Sequence, residues 1–193
     1  MPFIPPLPCD SARIQLRPVH VDDIPDLFEM NRDDRTTRYL PYASWQSLED
    51  GAAWFKRISD LAAGGTSLQL VIVEKSSGRV IGACVLFRYE EGSARAEIGY
   101  ALARAWWGRG LAREAIGLLV QQAFEVHGLR RLEAEVNPLN LASNRLLTTL
   151  GFVLEGRLRQ RWIAKGAAYD TNLYGLLREE WATAMGHCGP GAA

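Results

Sequence analysis

Apolar and polar positions change period several times along this chain, and each change marks an element. Ile14, Leu16 and Pro18 alternate with polar residues and predict a short first strand. A helix opens at Asp22, with Ile24, Leu27, Phe28 and Met30 on one side. Ser47 is placed to cap a second helix. Glu49 and Asp50 put acid in its first turn, Trp54, Ile58 and Leu61 follow at helical spacing, and Gly64 and Gly65 stop it. Residues 68–73, 80–87 and 94–102, separated by Ser76-Ser77-Gly78 and Glu91-Gly92-Ser93, predict an antiparallel meander. The period then turns helical: Ala112, Ile116, Leu119, Ala123 and Val126 predict a helix over 110–127, with Gly128 at its end. A strand over 132–136, a helix over 141–150 ending at Gly151, and strands over 152–158 and 169–177 complete the series. A meander followed by a β-α-β unit predicts an α+β fold: a mixed, mostly antiparallel central sheet flanked by helices, not a doubly wound one.

The 193 residues suit a single domain over 1–193, with an N-terminal arm at 1–10 and a Gly/Ala-rich tail at 186–193 expected to fray. The 22 basic and 22 acidic residues cancel, so the charge balance predicts neither a nucleic-acid footprint nor a basic membrane patch. No apolar run approaches the ~20 residues a spanning helix needs. Cys9, Cys84 and Cys188 are odd in number and widely spaced. They read as reduced thiols in a cytoplasmic protein, and neither they nor the histidines show a metal-ligand spacing. Residues 1–8 contain Pro2, Pro5, Pro6 and Pro8 and no basic start, unlike a secretory signal.

The chemistry concentrates between Glu97 and Arg113. A strand ends, a short loop follows, and Gly108 and Gly110 open the long helix. Free N–H groups and the dipole at a helix N-terminus favour an anion, glycines let the backbone approach it, and Arg109 and Arg113 add pairable charge. The segment suits a pyrophosphate; a plain glycine-rich helix start is the structural alternative. Gly108-x-Gly110-x-x-Arg113 shares part of a dinucleotide fingerprint, with Glu133 about twenty residues on. Arg113, however, stands where close helix–strand packing needs a third glycine, and the loop follows a meander instead of opening a βαβ unit. No Gly-Lys-Ser/Thr follows, which excludes a Walker loop.

Glu97–Tyr100, Trp107–Ala112, Asn140–Ser143 and Gly151–Phe152 together resemble the GNAT family of acetyl-CoA-dependent N-acetyltransferases. Trp-Gly-x-Gly, Asn-x-x-Ser-Asn and a later Glu-Gly are similar to the branch that acetylates N-termini of ribosomal proteins. The resemblance runs from about Arg13 to Trp181. It implies acetyl-CoA as acetyl donor, with Trp107, Gly108, Arg109, Gly110, Leu111, Ala112 and Arg113 around the pyrophosphate. The family's pyrophosphate signature starts with Gln or Arg; Trp107 stands there instead. The resemblance also implies that the backbone of Tyr100, Ala101 and Leu102 binds the pantetheine arm, in a gap where this strand splays from 132–136. Asn140 would hydrogen-bond the cofactor; as a residue, it equally fits a helix N-cap.

Acetyl transfer needs a neutral amine, donors for a tetrahedral oxyanion, and a proton or hydrogen bond for the leaving thiolate. No serine or cysteine nucleophile elbow is present, and the family transfers acetyl directly. Glu97 is the candidate base, through water; it shares a strand face with Gly99 and Ala101, whose small side chains leave room for a substrate. A solvated strand glutamate is the alternative. Many members carry a tyrosine four residues before the Gly-Phe pair, where this chain has Leu147. Ser143 matches the serine of the resembled branch and would hydrogen-bond the sulfur, or else serve at the helix start. Residues 33–39 and 157–170 carry charges and aromatics suited to an acceptor groove or to a solvated surface. Trp106, Trp107, Trp162 and Trp181 read as packing residues before stacking platforms. The expected acceptor is a protein N-terminal α-amine. The alternatives are a small amine (an antibiotic, polyamine or amino acid) and a catalytically silent acyl-CoA-binding module. The protein is expected to act as a monomer or homodimer.

Overall fold

The computed structural model describes residues 9–184. Its strands are β1 (Cys9–Asp10), β2 (Ile14–Pro18), β3 (Leu68–Glu74), β4 (Arg79–Glu90), β5 (Arg95–Leu102), β6 (Arg131–Val136), β7 (Val153–Ala164) and β8 (Ala167–Leu177). The helices are α1 (Ile24–Asn31), α2 (Asp34–Thr37), α3 (Leu48–Ala63), α4 (Leu111–Gln121), α5 (Leu141–Thr149) and α6 (Arg178–Ala184). The strands form one eight-stranded sheet in the order β1-β2-β3-β4-β5-β6-β8-β7. Neighbours run antiparallel except β5 and β6, which are parallel and joined across α4.

Alternation along the strands divides the apolar side chains between two cores. Ala96, Ile98 and Leu102 of β5 and Leu132, Ala134 and Val136 of β6 pack with Leu111, Ile116, Leu119 and Phe124 of the α4 segment and with Leu147 of α5. On the other face, Val71, Val73, Val80 and Ala83 meet Leu27 and Met30 of α1 and Trp45. The helix boundaries follow local chemistry. The Asp50 carboxylate accepts from the Ser47 N–H at 3.2 Å, which fixes the start of α3. Beyond Gln121 the α4 chain widens into π-type turns over 122–126, and Gly128, at φ +64, ends it.

The β5–β6 ladder is short. It pairs Arg95 with Arg131, Ala96 with Leu132 and Glu97 with Glu133. Beyond Glu97, β5 runs on to Leu102 bonded only to β4, and β6 runs on to Val136 bonded only to β8. The facing backbone edges therefore diverge from an apex at Glu97.

Several boundaries differ from the sequence reading. Cys9 and Asp10, assigned to the arm, pair with β2; the rest of the arm and the tail at 186–193 lie outside the described residues. The predicted strand over 152–158 starts one residue later and extends to Ala164, making a long β7–β8 hairpin whose register shifts absorb extra residues. Phe152 precedes the strand and is buried. The helix α6 was missed: seven residues carry too little periodicity to predict, and Trp181 anchors it, 5.4 Å from the Phe124 ring. No helix among the described residues is long and apolar enough to cross a membrane.

Candidate active site at the β5–β6 divergence

The loop between β5 and α4 owes its glycines to backbone conformation. Gly108 and Gly110 have φ of +73 and +75, the left-handed region that other residues enter at a cost. Space is not the reason: a Cβ on Gly108 would meet nothing within 4 Å, and one on Gly110 would reach only Arg13, at 3.6 Å. The turn leaves the first N–H groups of α4 at an open surface, with Arg109 and Arg113 exposed beside them. Arg109 also stacks on Trp106, 5.0 Å from the ring centroid.

Arg13 braces this loop, a role the sequence reading missed. Its Nη1 donates to the Arg109 carbonyl at 3.0 Å, while its Nε donates to Glu114 at 2.8 Å. The Glu114 carboxylate also accepts from Ser11 Oγ and from the Arg13 backbone N–H. Burial pushes the Glu114 carboxyl up, but those hydrogen bonds and the Arg13 cation outweigh it and hold the group below its ordinary value. Trp107 supplies a different restraint. Its indole N–H donates to the Leu102 carbonyl at 2.7 Å, tying the loop to the end of β5. That carbonyl keeps one lone pair for another donor.

Glu97 sits at the apex, on the sheet face opposite α4, and is 8% exposed. It is thus no solvated surface glutamate. Arg88 Nη1 donates to its Oε2 at 2.7 Å and to Glu135 Oε1 at 3.3 Å. Burial pushes the Glu97 carboxyl above its ordinary value; the Arg88 cation opposes this, and the Glu135 and Glu133 charges add to it. Arg88 comes from a bulge in β4 and has φ of +52. The room expected beside Gly99 is partly filled: a Cβ there would stand 3.1 Å from Val85 and 3.5 Å from Phe87. Sequence spacing revealed neither Arg88 nor Glu135, because a bulge and a neighbouring strand bring them to Glu97.

Ser143 occupies the first turn of α5, and its Oγ lies 2.6 Å from the Tyr100 hydroxyl. Tyr100 follows Glu97 at odd spacing, so its side chain leaves the opposite face of β5. Glu97 and the Tyr100–Ser143 pair therefore flank the divergence from its two sides. Burial pushes the Tyr100 phenol up to about 12, which the Ser143 hydrogen bond partly offsets. Asn140 is a helix N-cap: its Oδ1 accepts from the Ser143 N–H at 3.2 Å. Asn144 fixes the turn further. It donates to the carbonyls of Asn137 and Asn140, at 3.0 and 2.7 Å. Its Oδ1 accepts from Asn172 at 2.7 Å and Tyr174 at 2.8 Å. Leu147, where a tyrosine would stand, is fully buried in the core.

The segments singled out as acceptor-groove candidates converge. Lys165 at the β7–β8 turn donates to the Thr37 carbonyl at 2.7 Å, and Tyr39 donates to the Leu139 carbonyl at 3.1 Å. The α2 region, the hairpin tip and the loop before α5 thus meet one another. Of the tryptophans, Trp181 is core, Trp106 half-buried and Trp107 exposed. Trp162 donates its indole N–H to Glu135 at 2.6 Å. No group of three or more metal-ligating side chains is present among the described residues.

The model of the acetyltransferase (GNAT) domain matches residues 13–153. An uncharacterized N-acetyltransferase, p20 of Bacillus licheniformis, is 34% identical over 172 residues, covering 89% of this chain and 97% of that protein. The ribosomal protein uS5-alanine N-acetyltransferase of Escherichia coli is 24% identical over 187 residues, covering 92% and 94%. Among solved structures, Mycobacterium smegmatis RimJ in complex with CoA-disulfide superposes with a TM-score of 0.80 at 25% identity, covering 90% of each chain.

Proposed function

Because the chain belongs to the GNAT family of acetyltransferases, we propose that the amine it acetylates is the α-amine of a protein N-terminus, with acetyl-CoA as donor. The divergence of β5 from β6 beyond Glu97 carries the acetyl-CoA part of this reading. The unpaired edge of β5 along Tyr100, Ala101 and Leu102 offers backbone groups to an extended pantetheine arm. The positive-φ loop from Trp107 to Arg113 turns helix N–H groups toward a pyrophosphate. The glycine cradle and the open edge both fit that cosubstrate, which supplies the activated thioester.

In this reading Glu97 takes a proton from the attacking amine through water, and the burial that raises its carboxyl makes it a stronger proton acceptor than an exposed carboxylate. Ser143, on the other side of the gap, hydrogen-bonds the leaving sulfur. Asn140 holds the α5 N-terminus and turns its remaining amide hydrogens to the cofactor. An α-amine with pKa near ~8 is about one-tenth neutral at pH 7, whereas a lysine near ~10.4 is neutral in less than about one part in a thousand. A carboxylate base favours the former. The similarity to a uS5-alanine N-acetyltransferase supports the same choice.

The test is thiol release with short peptides that carry a small free N-terminal residue. Acetylation should stop when the α-amine is blocked, even with an internal lysine present. Transfer to that lysine, or much higher kcat/KM with an aminoglycoside or polyamine, would assign a different acceptor. CoA binding without turnover on any amine would mark a silent binding module.

A further inference from the structure

Glu135 and Trp162 lie beside the apex but are no part of the acetyl-transfer chemistry described above. Glu135 is paired with Leu173 across β6 and β8, and Trp162 with Tyr169 across β7 and β8. Paired residues share a face, so Glu135, Leu173, Thr171, Tyr169 and Trp162 all lie on the face that carries Glu97. The Trp162 indole N–H donates to Glu135 Oε2 at 2.6 Å, and Thr171 lies on β8 between the two registers.

Two carboxylates shielded from solvent there are met by two arginines, neither of them buried. The side chains of Glu97 and Glu135 are 10% and 9% exposed, and one guanidinium nitrogen of Arg88 serves both. Arg161 stands at 3.5 Å from Glu135 and is half-exposed. Glu133, by contrast, has Arg95 and Arg131 both at 2.8 Å. Arg88 itself sits between two aromatic rings, 5.5 Å from Phe87 and 5.5 Å from Trp162. Two shielded carboxylates with aromatic walls make a cage for a cation, and a half-exposed arginine on a strained bulge fills it. A second observation points to a ligand independently. Thr171 is 1% exposed, and its Oγ1 has no hydrogen-bond partner among the described residues. A hydroxyl dried in this way is kept at a cost unless something binds it.

We infer that Glu135, walled by Trp162 and Thr171, is the binding site for the positively charged amine of the incoming acceptor. The ammonium takes the place of the Arg88 guanidinium between the two carboxylates, and the Thr171 hydroxyl accepts one of its hydrogens. Glu135 holds the cation, Glu97 receives the ammonium proton through water and leaves the amine neutral for attack, and the second proton, lost as the amide forms, goes to the departing thiolate. The site selects alkylammonium acceptors, such as α-amines, over amines that are neutral at pH 7. This inference rests on the amine-acceptor reading but not on the acceptor being a protein.

Two measurements test it. In the first, the CoA-saturated protein, which has no acetyl group to transfer, is titrated with glycinamide while the Trp162 indole N–H is followed by NMR, its signal assigned by its loss in Trp162→Phe. The wild type should show a saturable shift that Glu135→Gln abolishes and Thr171→Val weakens. The absence of a shift in the wild type overturns the inference, whether or not peptides are acetylated. In the second, Glu135→Gln should raise KM for an alkylamine at least tenfold, with kcat within about threefold. KM for an aromatic amine, uncharged at pH 7, should stay the same. Equal loss for both amine classes, or no change for either, overturns it. If Glu135→Gln does not fold, the near-isosteric Thr171→Val carries the same comparison. A glycinamide-dependent shift without any peptide acetylation would sink the protein N-terminal acceptor and leave the cation site standing.

Discussion

The Tyr100 phenol and the Ser143 hydroxyl meet at 2.6 Å, so the serine at the start of α5 is held by a side chain from β5. When the phenol donates, the Ser143 proton is free to point into the gap where β5 leaves β6. When the serine donates, the gap sees no proton from it. The first arrangement suits a leaving thiolate, and the high phenol pKa keeps Tyr100 protonated throughout the working range.

Ser143→Ala should therefore lower kcat modestly, because water replaces a hydroxyl near sulfur. It should leave CoA affinity nearly unchanged. Tyr100→Phe should lower kcat too, and the double variant should lose no more than the larger single loss, since both act on one hydrogen bond. In a CoA complex the Ser143 oxygen should lie about 3–4 Å from the sulfur. A separation beyond ~6 Å without a bridging water would reduce Ser143 to a helix-start residue. Leu147→Tyr should not rescue Ser143→Ala: its side chain is fully buried, and overpacking a core costs about 1–3 kcal/mol.

Glu97→Gln should reduce kcat by roughly 10²-fold at neutral pH, with little change in CoA affinity. The pH dependence gives the sharper reading. Burial raises the Glu97 carboxyl, so the acid limb of kcat/KM should fall at a pH above the ordinary carboxylate range. Arg88 favours the charged form, so Arg88→Gln should move that limb to higher pH still. A variant with wild-type turnover across pH 6–9 would show that position 97 takes no proton.

Much of this architecture is legible from periodicity. The meander, the α4 helix and the β-α-β unit each span enough residues for the apolar period to show. The glycine loop is legible for a related reason: two positive-φ residues before a helix demand glycines. Acetyl transfer is legible through motif resemblance and not through periodicity. What stays hidden depends on pairing between distant segments. Arg88 reaches Glu97 only because β4 bulges, Glu135 stands beside it only because β6 lies next to β5, and Arg13 meets Glu114 from across α4. The short α6 lacks a periodic signal, and the long β7–β8 hairpin carries polar residues on both faces as well as register shifts that break alternation.

Calorimetry should show binding of acetyl-CoA and not of NAD. Gly110→Ala should weaken CoA binding through backbone strain at φ +75, since its Cβ would make only an ordinary contact with Arg13, at 3.6 Å. Gly110→Asp adds a carboxylate facing the pyrophosphate and should abolish binding while the protein stays folded by circular dichroism. Equal CoA affinity in the Ala and Asp variants would mean that no phosphate lies against this loop.

The Arg13–Glu114 brace should contribute to CoA affinity without touching the cofactor. Arg13 holds the Arg109 carbonyl in place only while Glu114 fixes the guanidinium, so Glu114→Gln should loosen the loop and weaken CoA binding several-fold. Arg13→Lys should do the same, because an ammonium cannot span both partners as the fork does. Amide hydrogen exchange over residues 108–113 should quicken in both variants while the β5 amides bonded to β4 keep their protection. The acid dependence has a definite sign. The folded Glu114 carboxyl lies below its ordinary value, so its stabilisation is complete above the ordinary carboxylate pKa and is lost as pH falls through the lowered one. Glu114→Gln should accordingly flatten the acid limb of CoA affinity, measured against pH, and leave the neutral plateau lower but equally flat. A variant with unchanged affinity and unchanged exchange over the loop would show that the glycines alone hold it.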